Sequence, residues 1–250
     1  MTRREKPRWV AVVLAGVAAA VVIAALPAGA ASATAPYAGA TTLSNLRTLT
    51  RWAYPQATSA AHATHSPRSR VIGHLVFLSP DDQAEIYVAL RSWSDPRTHR
   101  TWIQVPIPGR PNGVVGWVPS TSLGPMHIVR EYLLINRETL RATLFDRGSA
   151  IFSAPVGVGR PSLPTPAGEF YILEKLTAIG GPVYGPYAFA TSAYAPTLSE
   201  WPGGGVVGIH GTDQPELIPG YPSHGCIRLK NPDITRLWHL MSIGTPVHIV

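Results

Sequence analysis

The sequence predicts a mainly β fold in two parts, a small β module followed by a larger antiparallel domain with one short helix near the C-terminus. Two observations support this fold class. Short runs of β-branched and aromatic residues recur from about residue 71 to residue 173, and Gly, Pro, Asn and Asp separate them. No helical pattern lies between these runs, which argues against the alternating strands and helices of a parallel α/β sheet.

The chain begins with a segment typical of protein export. Four basic residues at positions 3–8 precede an uncharged apolar stretch, residues 9–26, and small residues follow up to position 33. This order is typical of a secretory signal. At about 1.5 Å per residue the apolar stretch nearly spans a hydrocarbon core of roughly 30 Å, so an uncleaved anchor is also open. In both cases we expect the remainder to lie outside the cytoplasm, in the cell wall or periplasm-equivalent space, with membrane contact only through residues 9–26.

Residues 34–70 are rich in Ala, Thr, Ser and His and show no sustained periodicity. This composition favours a linker between the export segment and the folded part of the chain. A short helix is conceivable around residues 43–52. The alternative is an N-terminal helix that docks on the next domain.

Residues 71–124 form the predicted small module, a closed or nearly closed β structure. Its predicted strands cover residues 75–78, 84–90, 101–105 and 116–118. Asn112-Gly113, between the last two strands, is a hairpin signal. We expect Trp102 and Trp117 to fill the core rather than bind a ligand, because a domain this small needs its aromatic residues for packing. The pattern from Trp102 through Pro111-Asn112-Gly113 to Trp117 resembles the bacterial SH3-like modules found beside cell-wall enzymes.

The larger domain, residues 127–250, continues the strand pattern. Its predicted strands cover residues 132–136, 140–145, 151–159, 169–173, 206–209 and 245–250. The proline-rich segment 161–168 is predicted to be an irregular loop. Asn231-Pro232-Asp233 opens the predicted helix, which runs from about residue 233 to residue 241. Its apolar residues share one face and are Ile234, Leu237, Trp238 and Met241.

Composition and charge exclude several function classes. Residues 1–33 contribute four basic groups and one acidic group, which leaves a formal charge of +4 for the rest of a chain that carries +7. Because no dense stripe of Lys and Arg is present, nucleic acid is not expected as a partner. Gly203-Gly204-Gly205 lacks the lysine and the spacing of a phosphate loop, so no nucleotide site is predicted. We predict a monomer without a cofactor.

The single cysteine, Cys226, is the most informative residue for function. One cysteine in an exported chain cannot form an intramolecular disulfide, which leaves a reactive thiol or an intermolecular bond. Cys226 follows Ser223-His224-Gly225 and lies sixteen residues after His210. A thiol is mostly protonated at neutral pH, so a cysteine nucleophile needs an imidazole within hydrogen-bond reach. His210 and His224 are both candidates for this base.

Strand alternation predicts where these side chains point. His210 is expected to face away from Ile209 and into a cleft or solvent. In the run that begins at Cys226, alternate residues share a face, so Cys226 and Arg228 lie together. The two residues expected to point to the core are Ile227 and Leu229.

A positive charge and a glycine next to the thiol suggest how a substrate is handled. Arg228 would favour the thiolate and could bind a substrate carboxylate through two hydrogen bonds. The structural alternative for Arg228 is a salt bridge to Asp233 or Asp213. Gly225 allows a tight turn, in which the amides of Gly225 and Cys226 could point at a developing oxyanion.

At this point the residues resemble a known family. The runs Gly208-Ile209-His210-Gly211-Thr212 and Ser223-His224-Gly225-Cys226-Ile227-Arg228, with Ile218-Pro219-Gly220 and Asn231, closely resemble the active-site signature of L,D-transpeptidases with a YkuD-like catalytic domain. Pro164-Thr165-Pro166 and Gly168 are similar to the family's upstream Thr-Pro-x-Gly element. The resemblance covers residues 127–250 and implies a β-sandwich or barrel-like catalytic domain with one short helix near the C-terminus.

The resemblance also implies roles for the site residues. Cys226 would be the nucleophile and His210 the proton donor and acceptor, while His224 and Ser223 would orient the site. Backbone amides around Gly225 would form the oxyanion hole. The residues that would line the substrate groove are Gly205, Val206 and either Tyr187 or Tyr194.

The function that this resemblance implies is peptidoglycan L,D-transpeptidation, with stem peptides as partners. Cys226 would attack the carbonyl before the terminal D-residue of a stem tetrapeptide, release D-alanine and pass the acyl group to an amine. With water as the acceptor, the same residues make an L,D-carboxypeptidase, and carbapenem β-lactams are expected to acylate Cys226. Two other functions are compatible with the sequence: a non-catalytic wall-binding protein, and a zinc site with His210, His224 and Cys226 as ligands.

Overall fold

The computed structural model describes residues 39–79, 82–177, 180–198 and 202–250. The predicted export segment, residues 1–33, lies outside them. Within the described part of the chain, no helix is both long and apolar enough to cross a membrane. Residues Gly39–Val250 group into one compact unit. In that unit, we refer to the strands up to residue 129 as the N-terminal module and to the elements from residue 131 onward as the C-terminal domain.

The described residues of the N-terminal module form nine short strands. They are β1 (Thr41–Thr42), β2 (Thr50–Ala53), β3 (Ser59–His62), β4 (Val71–Leu75), β5 (Tyr87–Ala89), β6 (Arg91–Ser94), β7 (Thr101–Pro106), β8 (Val115–Pro119) and β9 (His127–Val129). One sheet has the order β1-β6-β7-β8-β3-β4, and a second has the order β5-β2-β9. Trp102 and Trp117 are 4% and 1% exposed, which confirms the prediction that they fill the core.

The linker predicted over residues 34–70 is wrong for the described part of that segment, and so is the helix around residues 43–52. β2 lies there and pairs with β5 on one side and β9 on the other, with Trp52 and Ala53 buried. These neighbours are distant in sequence, so local composition does not record them. The predicted strand 75–78 is also wrong, because β4 ends at Leu75 and the three residues after it are exposed.

The C-terminal domain is one sheet with a helix, as predicted. Its described elements are β10 (Glu131–Asn136), β11 (Arg141–Asp146), β12 (Ser149–Pro155), β13 (Gly157–Gly159), β14 (Gly168–Thr177), β15 (Tyr187–Tyr194), β16 (Val206–His210), β17 (Gly220–Ser223), β18 (Ile227–Arg228), α1 (Asn231–Leu240) and β19 (Pro246–Ile249). The sheet order is β12-β11-β10-β19-β14-β15-β16-β18-β13-β17. Most pairs are antiparallel, but β10 with β19, β13 with β17, and β16 with β18 are parallel, which the sequence did not predict.

The predicted C-terminal helix is confirmed as α1. Pro232 lies in its first turn together with Asp233, and Ile234 and Leu237 are fully buried against the sheet. The predicted last strand is β19, which lies between β10 and β14. The described part of the chain is therefore mainly β with one short α-helix.

The module and the domain share a buried cluster. Trp52, Ile86 and Val88 of the module pack with Tyr171 and Leu173 of β14. The Tyr171 hydroxyl donates a hydrogen bond to the Ile86 carbonyl over 3.1 Å. The two sets of strands are thus packed together within one unit, while the predicted domain boundaries and the SH3-like character of the module stay predictions.

Candidate active site

The predicted site residues converge on one cavity of about 120 Å³ in the C-terminal domain. Eight of them line it: Gly205, Val206, His210, Ser223, His224, Gly225, Cys226 and Arg228. Tyr187 does not. The lining residues that the sequence analysis missed are Val183, Tyr184, Ala195, Leu198 and Val207.

Two parallel strands place the cysteine beside the histidine. In the register of β16 and β18, Ile209 lies opposite Ile227 and His210 lies opposite Arg228. Ile209, Ile227 and Leu229 are fully buried. Their neighbours on the other face of the two strands, His210, Cys226 and Arg228, line the cavity. The predicted alternation of the two strands is therefore confirmed.

Cys226 is half-buried as a residue, and its thiol accepts a hydrogen bond from the Gly208 amide, with 3.4 Å between nitrogen and sulfur. Burial raises the pKa of this thiol above its ordinary value, and the Gly208 bond and the charge of Arg228 offset part of the rise. The thiol is therefore protonated at neutral pH. The prediction that Arg228 favours the thiolate is right in sign, but burial has the larger effect.

His210 is a buried, neutral imidazole. It is 2% exposed, and its Nδ1 lies 2.6 Å from the Gly211 carbonyl oxygen. Because a carbonyl only accepts hydrogen bonds, Nδ1 carries the hydrogen and Nε2 keeps its lone pair. Burial lowers the pKa of His210 to about 4; the bond to Gly211 opposes this shift, and the charge of Arg228 adds to it. At neutral pH, Nε2 is therefore a proton acceptor.

Gly208 lies beside both side chains, and no role was predicted for it from the sequence. A Cβ at this position would lie 3.7 Å from His210 Cδ2, the ring carbon bonded to Nε2, and 3.8 Å from Cys226 Sγ. At these distances a Cβ would be in ordinary van der Waals contact with both side chains. The signal was present in the sequence, since Gly208 lies two residues before His210 and so shares its face.

Two hydroxyl groups hold the loop that leads to Cys226. Ser223 Oγ accepts a hydrogen bond from the Gly225 amide over 3.1 Å and donates one to the Cys226 carbonyl over 2.5 Å. Thr165 Oγ1 donates to the Gly225 carbonyl over 2.8 Å and accepts from the Gly159 amide over 2.9 Å. Gly225 has a φ of +128°, which other residues rarely adopt. Ser223 and Thr165 thus fix the turn before Cys226.

The two predicted oxyanion donors are not equivalent. The Gly225 amide donates to Ser223 Oγ, so the prediction that it faces an oxyanion is wrong. The Cys226 amide donates to no group among the residues that the structure describes. It is the donor left for negative charge that develops in the cavity.

Thr165→Val is expected to lower the free energy of unfolding by about 1–3 kcal/mol, because the buried Gly225 carbonyl and Gly159 amide both lose their partner. Catalytic turnover should also fall, since the Gly225 carbonyl directly precedes Cys226, the predicted nucleophile. Denaturant unfolding of Thr165→Val measures the loss of stability, and its catalytic turnover measures the effect on the site. Thr165→Ser is the matched control, since it keeps the hydroxyl and should stay near wild type. A valine variant with unchanged turnover would show that the hydroxyl does not position the loop.

Arg228 lines the cavity without an ion partner among the described residues. The ion pairs between described residues do not include Arg228, so the predicted alternative of a salt bridge to Asp233 or Asp213 is not observed. Its Nε is buried without a hydrogen-bond partner in the described structure. An unsatisfied buried donor is uncommon in folded proteins, which makes Arg228 a candidate for a functional role. His224 also lines the cavity.

Tyr187, one of the predicted groove residues, packs elsewhere. Its ring stacks on Trp238 of α1, with 4.7 Å between ring centroids. The aromatic residue at the cavity is Tyr184, whose centroid lies 4.9 Å from that of His210. Tyr194, the other candidate, is 9% exposed and comes directly before the lining residue Ala195. Sequence reasoning could not separate these tyrosines, because sheet pairing decides which way each one points.

Known proteins match the part of the chain that carries this site. Residues 130–249 match the YkuD family model, described as the L,D-transpeptidase catalytic domain. YkuD of Bacillus subtilis is 33% identical over 136 residues, which cover 54% of this chain and 73% of that protein. YkuD of Bacillus licheniformis is 35% identical over 115 residues, which cover 46% of this chain and 61% of that protein.

A solved structure is also similar. The catalytic domain of the E. faecium L,D-transpeptidase, determined by NMR, is 26% identical with a TM-score of 0.38, over 48% of this chain and 95% of that domain. The family model does not extend into the N-terminal module. On the family match and the coverage of the B. subtilis relative, this chain belongs to the L,D-transpeptidase family with a YkuD catalytic domain.

Proposed function

We propose that the protein is a peptidoglycan L,D-transpeptidase that uses Cys226 as its acylated nucleophile. The observation that supports this most directly is the pair of a protonated Cys226 and a neutral His210, which flank Gly208 at a cavity. From this state a general base can take the thiol proton while the sulfur attacks. Family membership supports the reaction class.

In the first half of the reaction, Cys226 Sγ bonds to the carbonyl carbon before the terminal D-alanine of a stem tetrapeptide. The thiol proton passes to His210 Nε2, and the carbonyl electron pair moves onto the oxygen, which accepts a hydrogen bond from the Cys226 amide. When the intermediate collapses, the C–N bond breaks and the proton on His210 goes to the leaving amine. D-alanine departs and a thioester on Cys226 remains.

In the second half, an amine of a neighbouring stem attacks the thioester carbonyl and gives a proton to His210 Nε2. The C–S bond then breaks, and the proton returns to the sulfur. Burial and the Arg228 charge both lower the pKa of His210, so the imidazole holds a proton only briefly. Water in place of the amine would give an L,D-carboxypeptidase.

Arg228 is the proposed contact for a carboxylate of the stem peptide, because its guanidinium can donate two parallel hydrogen bonds. Its unpartnered Nε and its place in the cavity wall support this role. The substrate implies a setting: the protein would act outside the cytoplasm, on the cell wall, secreted or anchored by residues 9–26, as a monomer.

Arg228→Lys is expected to raise the KM for a tetrapeptide donor about 10- to 100-fold, the cost of a lost charge-assisted hydrogen bond of about 1.5–3 kcal/mol. The charge is kept, so the rate of Cys226 alkylation should change little. Steady-state kinetics with the donor and an alkylation assay measure both effects. Wild-type kinetics in the lysine variant would show that the planar guanidinium contacts no substrate.

The proposed function is tested by incubating the purified full chain with a disaccharide-tetrapeptide and weighing the products by mass spectrometry. Cross-linked dimers that lack one D-alanine support transpeptidation. Tripeptide alone indicates a carboxypeptidase. If neither product forms while the thiol stays reduced, the enzyme proposal is wrong, and retained binding to wall fragments would then favour a non-catalytic wall-binding protein. Cys226→Ala is the control for each arm.

A further inference from the structure

One turn of the N-terminal module reaches the wall of the active-site cavity. It joins β7 to β8 and contains Arg110 and Asn112. The Arg110 guanidinium donates three hydrogen bonds of 2.9 Å each, from Nε to the Ala195 carbonyl, from Nη1 to the Gly204 carbonyl and from Nη2 to the Leu198 carbonyl. In the sequence, this turn carries the Asn112-Gly113 hairpin signal and is part of the SH3-like pattern.

Asn112 adds a second contact, to a neighbouring part of the same wall. Its side-chain amide donates to the Tyr194 carbonyl over 2.8 Å and accepts from the Tyr194 amide over 2.9 Å. This pairing mimics a β ladder and extends the end of β15. The Arg110 guanidinium also lies over the Tyr194 ring, 5.1 Å from its centroid.

These contacts connect the two backbone segments that form one side of the cavity. Ala195 and Leu198 follow β15, and Gly204 directly precedes Gly205, the residue before β16. Three residues of these segments, Ala195, Leu198 and Gly205, line the cavity. One guanidinium thus holds both segments, and β16 continues from there to Gly208 and His210.

The contact requires an arginine and a glycine. Three carbonyls that face one planar group can be satisfied by the fixed fork of a guanidinium, whereas the single ammonium of a lysine cannot reach them with the same geometry. Gly205 has a φ of +86°, and a Cβ there would collide with the Leu198 carbonyl oxygen and with Arg110 Nη2. The wall and the turn therefore fit each other closely.

We propose that Arg110 and Asn112 are positioning residues of the acyl-donor site, so that the N-terminal module forms part of the active site. This inference rests on the proposed function. All five hydrogen bonds end on backbone atoms of the wall, and none ends on Cys226 or His210. Loss of the contact should therefore weaken recognition of the donor peptide and leave the reactivity of the thiol intact.

The test uses the full chain with Arg110→Met, which keeps the length of the side chain and removes its donors. We expect the KM for the tetrapeptide donor to rise about 10- to 100-fold, because the cavity wall that positions the donor peptide is displaced. Alkylation of Cys226 by iodoacetamide should stay within about twofold of wild type, because the small reagent does not need the wall. Amide hydrogen exchange should become faster at residues 194–198 and 204–206.

Matched variants sharpen the result. Arg97→Met removes an exposed arginine of the same module and should match wild type in every assay. Arg110→Lys should behave like Arg110→Met. Asn112→Asp keeps the acceptor for the Tyr194 amide and loses the donor to the Tyr194 carbonyl, so a smaller rise in KM is expected. If Arg110→Met does not fold, Asn112→Asp supplies the test.

Two results would overturn the proposal. One is a wild-type KM and unchanged exchange in Arg110→Met. The other is a parallel loss of alkylation rate and melting temperature, which would mean that Arg110 holds the whole fold rather than the wall. If the wild-type chain does not turn over the tetrapeptide, the proposed function fails, but the exchange experiment still decides whether the turn holds the wall.

Discussion

His210→Gln is expected to lower the turnover of a stem tetrapeptide by about 10²- to 10⁴-fold, the usual contribution of a general base. The glutamine amide occupies the place of Nε2 rather than of Nδ1, so the bond to the Gly211 carbonyl is lost, but the side chain still fills the buried site and we expect the fold to be kept. Glutamine has no basic nitrogen in place of Nε2. Release of D-alanine measures the loss, and thermal unfolding is the control for the fold.

The alkylation rate of Cys226 distinguishes a neutral pair of Cys226 thiol and His210 imidazole from an ion pair of thiolate and imidazolium. If both groups are neutral, the rate follows ionisation of the thiol alone, and His210→Gln changes it at pH 6 by less than about threefold. Since the pKa of His210 is about 4, wild-type turnover should hold at pH 5.5 and fall as the pH drops through that value. Fast alkylation at pH 6 that disappears in the glutamine variant would contradict the neutral pair.

The chemical core of the site could be predicted because it is local in sequence. His210 and Cys226 lie in two short runs, and alternation along each run is enough to send their side chains away from Ile209 and Ile227. Burial of both isoleucines bears this out. The same reasoning extends to Gly208, which shares a face with His210, although its contact with the sulfur becomes visible only when the two strands pair.

Contacts between distant residues could not be predicted. Thr165 and Gly225 lie 60 residues apart, and Arg110 and Ala195 lie 85 apart. Asn112-Gly113 signals a turn, but nothing in it shows that the turn will reach a cavity. The segment predicted as a linker fails for the same reason, since β2 is a strand only because β5 and β9 flank it.

The balance of electrostatic effects also required the structure. The sequence places Arg228 beside the thiol and so predicts a thiolate, but it cannot show that burial raises the pKa of Cys226 by more than the charge lowers it. It likewise cannot show that Ser223 occupies the Gly225 amide. Both corrections favour the same mechanism, in which the proton moves during attack and one amide, that of Cys226, receives the developing charge.

Cys226→Ser is expected to cause the largest loss, about 10⁴-fold or more in the release of D-alanine. A hydroxyl is far more weakly acidic than a thiol, and His210, with a pKa of about 4, is too weak a base to activate it. The serine oxygen can still accept a hydrogen bond from the Gly208 amide, so the fold should be retained. Product release and the intact mass of the protein after exposure to a carbapenem measure turnover and acylation separately.

Cys226→Ala is the matched control, because it removes both the nucleophile and the acceptor for the Gly208 amide. Serine keeps a nucleophilic atom near the same place, so any excess activity of serine over alanine measures the covalent route that survives without sulfur. We expect no such excess, because His210 can act as the base for a buried thiol but is too weak a base for an alcohol. A serine variant with a tenth of wild-type turnover would contradict this, and it would mean that the imidazole is a stronger base in the substrate complex than burial allows in the free protein.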